Sequence, residues 1–147
     1  MVDWIEIQNK WAKKWVEEKV FEPTVEEGKK KFFVNAPYPY VNSILHIGHL
    51  YTYMRAEAFA RYKRMQGFNV LFPQGWHATG SPIVSAANRV KEKEEKQLEL
   101  LKNVGVAEED LVKFEDPEYW VNYFVPEAVK DFQAMGMSID WSRQFYT

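Results

Sequence analysis

The sequence predicts an α/β fold with a parallel sheet, on three observations. Two short, unbroken apolar runs, Phe32-Phe33-Val34 and Val70-Leu71-Phe72, have the make-up of strands buried on both faces. Between them lies a segment whose apolar residues recur at helical spacing. Proline and glycine punctuate the junctions, so strand, loop, helix and strand follow one another as in a βαβ unit.

Each element has its own signal. Trp4, Ile7, Trp11 and Trp15 fall at spacings of three and four, which predicts an amphipathic helix over about residues 3–22. Asp3 and Glu6 suit a capping box at its start, and Pro23 stops it. Glu26–Lys31, with Gly28, reads as a solvated turn before the first strand. Two prolines in Pro37–Ile44 break any regular ladder there. From Leu45 a second helix is expected, with Leu50, Met54, Ala58, Tyr62 and Met65 as its apolar stripe and Gly67 past its end. Pro73 is expected to close the second strand. Ser81-Pro82 supplies an N-cap followed by proline, opening a third helix that carries the alternating charges of Lys91–Lys102. Asp116-Pro117 opens another, with an interruption at Pro126 and an end at Gly136. Met137–Trp141 is a last strand or an extended exit.

The 147 residues suffice for one domain with one core, and 46% hydrophobic content excludes disorder. Nineteen basic residues against 21 acidic give a net charge of −2, so the chain lacks the basic balance of a nucleic-acid-binding module. The absence of cysteine excludes disulfides and thiolate metal sites. No apolar run reaches membrane-spanning length and no signal peptide is visible at Met1-Val2-Asp3-Trp4; a cytoplasmic protein with no membrane partner is expected.

The chemistry concentrates in His46-Ile47-Gly48-His49, at the junction of loop and helix. A helix N-terminus offers unpaired N–H groups and a partial positive charge to a phosphate. Histidines at i and i+3 share a face there, so both rings are placed to donate to one phosphate. Gly48 removes a side chain and opens the backbone to a flat base. The plain alternative is a pair of surface or capping histidines. Tyr38 and Tyr40 are candidates for an apolar pocket or for core packing, and His77 for substrate positioning or for capping the helix at Ser81. Trp76 reads as packing. No metal site is expected.

The run Pro37-Tyr38-Pro39-Tyr40-Val41-Asn42-Ser43-Ile44-Leu45-His46-Ile47-Gly48-His49 resembles the signature of class I aminoacyl-tRNA synthetases. Phe72–Ile83 and Asp140–Thr147 are similar to segments of the leucine enzymes of archaeal and eukaryotic type, the latter immediately before their editing insertion. The resemblance implies a Rossmann-like nucleotide-binding domain, of which residues 1–147 form the N-terminal part up to that insertion point. It implies ATP as substrate, with Mg2+ carried by the nucleotide, and leucine as the amino acid activated. It assigns transition-state contact with the α-phosphate to His46 and His49, nucleotide contact to Pro39, Ile47 and Gly48, and amino-acid contact to Tyr38, Tyr40 and His77. Partners implied are tRNA(Leu), docked through regions mostly outside these residues, and the remaining C-terminal part of the synthetase.

Asn42, before the histidine element, is more like methionine enzymes. The family's lysine-rich second signature does not occur in the chain, which points to a shortened form or one product of a split gene. A methionine or other class I synthetase fragment, a small-molecule nucleotidyltransferase and a non-catalytic interaction module are the alternatives.

Overall fold

A computed structural model describes residues 1–147. Its elements, in order, are α1 (Trp4–Glu17), β1 (Lys31–Phe33), α2 (Ile47–Met65), β2 (Asn69–Leu71), β3 (Pro73–Trp76), α3 (Ser81–Lys91), α4 (Glu95–Asn103), a 3-10 segment (Glu108–Glu115), α5 (Pro117–Ala134) and β4 (Asp140–Tyr146). β1 pairs in parallel with β2, and β3 in parallel with β4. Only Phe72 separates β2 from β3, so 69–77 acts as one extended segment. Asn69 N–H donates to Lys30 O and Val34 N–H to Leu71 O, whereas Asp140 N–H donates to Phe72 O and Thr147 N–H to Trp76 O. Successive residues of a strand direct their backbone groups to opposite edges. The central segment therefore has the β1 side along its odd residues and β4 along its even ones. The α/β class and the parallel βαβ unit stand as expected.

Pro73 does not end the strand. Its missing N–H falls on the β1 side, where the ladder stops at Val34 and resumes only at His77 N–H to Pro39 O (3.0 Å), so no donor is lost. β1 and β2 each begin one residue earlier than expected. β1 is not buried on both faces: Phe33 is 61% exposed, while Phe32 packs against Phe59 and Phe68.

The helices depart from expectation for physical reasons. In α1, Asp3 accepts from the Ile5 and Glu6 N–H groups at 3.0 Å each, but Glu6 makes no return bond. The helix ends at Glu17, short of Pro23, and its apolar face is largely open, with Trp4 74% exposed. It attaches through Trp15, which lies against Phe21 and Gly136, where an added Cβ would sit 2.9 Å from the indole. α2 buries Tyr53, Glu57 and Ala60, whereas Met54, Tyr62 and Met65 face solvent. The expected stripe is therefore rotated, and a carboxylate lies at the centre of the true one. Glu57 is affordable there because Ser138 donates its N–H and its hydroxyl to Oε2 at 2.8 Å each and Arg61 pairs with Oε1. Arg61 also donates to Gly136 O (2.6 Å) and Arg64 to Ser138 O (2.9 Å), fixing α2 to the approach to β4.

The charged stretch does not continue one helix: α3 ends at Lys91, Lys93 adopts φ 55°, and α4 starts afresh. The N-cap of α3 is Gly80 rather than Ser81, and no side chain caps it. α5 passes through Pro126 uninterrupted. Pro126 and Asn122, whose carbonyl loses its helical donor, are both exposed, so the missing bond lies on the solvent side of the helix. Gly136, with φ 69°, closes the helix as its position predicts. The core joins Tyr53, Trp76, Phe132 and Ile139 to an aromatic group around Phe114, Trp120 and Phe124. No helix is long and apolar enough to cross a membrane.

Candidate active site

The C-terminal ends of the parallel strands converge on one edge, where ligands of open α/β sheets bind. α2 begins after β1 and α3 after β3, so both helix N-termini lie at that edge.

His46 is the N-cap of α2, in extended conformation with φ −132° and ψ 172°. Gly48 N–H donates to His46 Nδ1 (3.1 Å) and His46 N–H donates to His49 Nδ1 (3.2 Å). The two rings thus form a capping box, their centroids 4.0 Å apart. An accepting Nδ1 carries no proton, so each ring offers its N–H at Nε2. Partial burial, and then the adjacent His46, hold the His49 imidazole below its ordinary value, which keeps it a neutral donor near pH 7. The first turn is less open than its position suggests: the Gly48 amide is engaged by the cap, and His49 N–H donates to His46 O (2.9 Å). Gly48 serves the cap directly, because an added Cβ would lie 2.9 Å from His46 Cε1. Beside His46 and Ile47, a groove of about 320 Å³ runs between α2 and the end of α5, with Phe132 and Met135 on its far wall. Asp131 borders it; partial burial, then Glu127, raise its carboxyl above the usual range.

The second group lies at the strand ends. Tyr40 forms a parallel bridge with His77, their rings 4.3 Å apart. His77 Nδ1 lies 2.9 Å from Thr147 Oγ1, which in turn lies 3.3 Å from Thr79 Oγ1. His77 therefore links three chain segments and does not cap the helix at Ser81. The two threonines went unnoticed in the sequence, since neither is a strong chemical group; only the parallel register of β4 beside β3 brings Thr147 to His77. Tyr38 is half-buried behind this group. Its ring lies flush against Gly75, where a Cβ would stand 2.4 Å away, and it meets Phe145 edge-on at 5.1 Å. Asn35 Nδ2 donates to its hydroxyl (3.3 Å). Pro39 is buried and supplies the carbonyl that receives His77 N–H. Trp76 is fully buried and its Nε1 donates to Gln144 Oε1 (3.1 Å), a packing role as expected.

Tyr53 and Gln74 support the loop from beneath. Tyr53 donates to Pro37 O (3.3 Å) and accepts from Gln74 Nε2 (2.9 Å). Burial pushes the Tyr53 phenol up to about 12, so it remains a donor. On the opposite flank, buried Asp140 accepts from Ser142 N–H (3.1 Å) and Oγ (2.6 Å) and pairs with Arg143. It thereby secures the irregular stretch where β4 carries extra residues opposite Pro73–Gly75.

The family model for tRNA synthetases class I (I, L, M and V) matches residues 10–147. Leucine–tRNA ligase of Aeropyrum pernix is 50% identical over 141 residues, which cover 96% of this chain and 15% of that protein. The Archaeoglobus fulgidus leucine–tRNA ligase is 45% identical over 148 residues, covering 100% of this chain and 16% of the relative. The crystal structure of the ternary complex of Agrobacterium radiobacter K84 agnB2 LeuRS-tRNA-LeuAMS superposes with a TM-score of 0.70 at 24% identity, over 95% of this chain and 15% of that one. The chain thus spans about 15% of the length of the relatives it matches.

Proposed function

Because the chain belongs to the class I tRNA synthetases, we propose that it is the N-terminal catalytic part of a leucine–tRNA ligase, contributing to activation of leucine by ATP and its transfer to tRNA(Leu). The observation that carries this reading is the paired-histidine cap of α2, with both Nδ1 atoms engaged and both Nε2–H groups left to donate. In activation, a leucine carboxylate oxygen attacks the α-phosphorus of ATP, and the bond to pyrophosphate breaks. Negative charge builds on the α-phosphate oxygens. Neutral Nε2–H donors and the positive end of α2 stabilise that charge without a proton changing hands. Magnesium belongs to the substrate, held by the nucleotide phosphates.

Ile47 and Gly48 line the nucleotide's approach in this reading, with Pro39 fixing the strand beneath it. Tyr40 and His77 face the amino acid; Tyr38 holds the wall behind them through Gly75 and Phe145. Leucine is favoured over methionine by the relatives, which are leucine–tRNA ligases at 45–50% identity. Family membership disfavours a small-molecule nucleotidyltransferase.

The test is leucine-dependent exchange of pyrophosphate into ATP, measured on this chain joined to the remaining length of the Aeropyrum pernix relative. Exchange with leucine, reduced about 10²–10³-fold by His49→Ala, is the expected result. Exchange with methionine alone, or an unchanged rate in His49→Ala, overturns the assignment.

A further inference from the structure

Gln74 is buried on the strand that leads to His77, and its amide is answered on one side only. Nε2 donates to the Tyr53 hydroxyl (2.9 Å) and to Gly75 O (2.6 Å), while Oε1 is enclosed and has no partner. The orientation is fixed, since turning the amide over would set Oε1 against Gly75 O, two acceptors 2.6 Å apart. A buried acceptor left unpaired costs free energy that an aliphatic side chain would not. Packing alone therefore favours an aliphatic residue at this position, and the role of the amide lies in what Nε2 holds.

Nε2 joins three elements. Tyr53 lies on α2, the helix that His46 caps, and passes the chain of bonds on by donating to Pro37 O (3.3 Å) in the loop after β1. Gly75 is the residue on which the Tyr38 ring rests. On the β1 side of 69–77, main-chain bonds lapse between Val34 N–H to Leu71 O and His77 N–H to Pro39 O, and Gly75 O falls in that gap. The Gln74 amide bridges the break: it binds Gly75 O directly and reaches Pro37 O through Tyr53. On the reading of function given above, we propose that Gln74 is a positioning residue for amino-acid binding, which holds the Pro37–Tyr40 loop, with Tyr38 and Tyr40, against His77. The histidine cap closes within the first turn of α2, so the nucleotide end does not depend on this bridge.

The test pairs amide hydrogen exchange in this chain with leucine-dependent pyrophosphate exchange in the joined enzyme described above, each for Gln74→Met and Tyr53→Phe. Met keeps the unbranched shape of glutamine, and Phe removes one hydroxyl while keeping a ring against Phe132. A loosened loop is expected to speed exchange at His77 N–H, which bonds Pro39 O, and to leave unchanged that at Asp140 N–H, which bonds Phe72 O on the other edge of the same segment. The KM for leucine should rise about three- to tenfold in each variant, with kcat and the KM for ATP unchanged. Both substitutions break one chain of bonds, so the double variant should fall short of their combined effect. Tyr53→Phe decides the matter where Gln74→Met fails to fold. Equal acceleration at both amides, or an unchanged KM for leucine, marks a merely structural bond and overturns the proposal. The amide pattern is read without substrate. A joined wild-type enzyme inert with leucine therefore overturns the functional reading, and the amides still decide whether Gln74 holds the loop.

Discussion

At the scale of single residues, the candidate site is a matter of which nitrogen carries a proton. The cap fixes both histidines as Nε2–H donors, and Gly48 leaves room for the His46 ring to hold that geometry. Gly48→Ala should push the ring away and cost the cap about 0.5–2 kcal/mol, read as a lower Tm and faster amide exchange at Gly48. The His49 titration gives a signed prediction. Its folded pKa lies below the unfolded value of 6.5, so its contribution to stability is complete above that value and is lost as pH falls through the folded one. Histidine NMR titration should place His49 below 6.5, and the acid-side loss of stability should flatten in His49→Ala. The histidine pair was visible in the sequence as a motif. Its dual use as cap and donor was not, because spacing does not say which ring atom turns to the backbone.

At the scale of elements, α2 is the instructive case. Its existence, its start near His46 and its end before Gly67 follow from the sequence, but the face it buries does not. Hydrophobic periodicity placed Met54 and Tyr62 inward, because no scale rewards a glutamate at the centre of a packed stripe. Glu57 is there because Ser138, far along the chain, brings two donors to it. Glu57→Ala should leave both donors unpaired and destabilise the chain by about 2–4 kcal/mol, measured by urea unfolding, while Ser138→Ala should cost less. Pro73 and Pro126 teach the same lesson in reverse. Both read as breaks, and both are tolerated because the group they forfeit faces no protein partner. Composition says what a residue lacks; only the fold says whether the lack is felt.

At the scale of the whole molecule, parallel pairing was legible from two apolar runs and the helix between them. β3 was not, since Pro73 reads as the end of a strand; β4 was anticipated only as a last strand or extended exit at Met137–Trp141, whereas it runs over Asp140–Tyr146, where several polar residues carry little strand signal. The open face of α1 has a measurable effect. Trp4, Ile7 and Trp11 lie on it, all exposed, and such a face drives association in water. Sedimentation should show concentration-dependent oligomers that Trp11→Lys suppresses, with helicity unchanged. We also expect the 147 residues alone not to leucylate tRNA, since in the proposed reading His46 and His49 would meet only one face of a triphosphate whose charge is spread over three groups. Leucylation by the chain alone would overturn that. The contact between His77 and Thr147 bears on how the molecule comes to be. It joins residues 70 apart, whereas β1 and β2 are linked through the short α2 crossover. Closing the longer loop carries the somewhat larger entropic penalty, so we expect the βαβ unit to assemble first and the β4 strand to dock after it. The residues that would greet an amino acid are then the last to find one another as the protein folds.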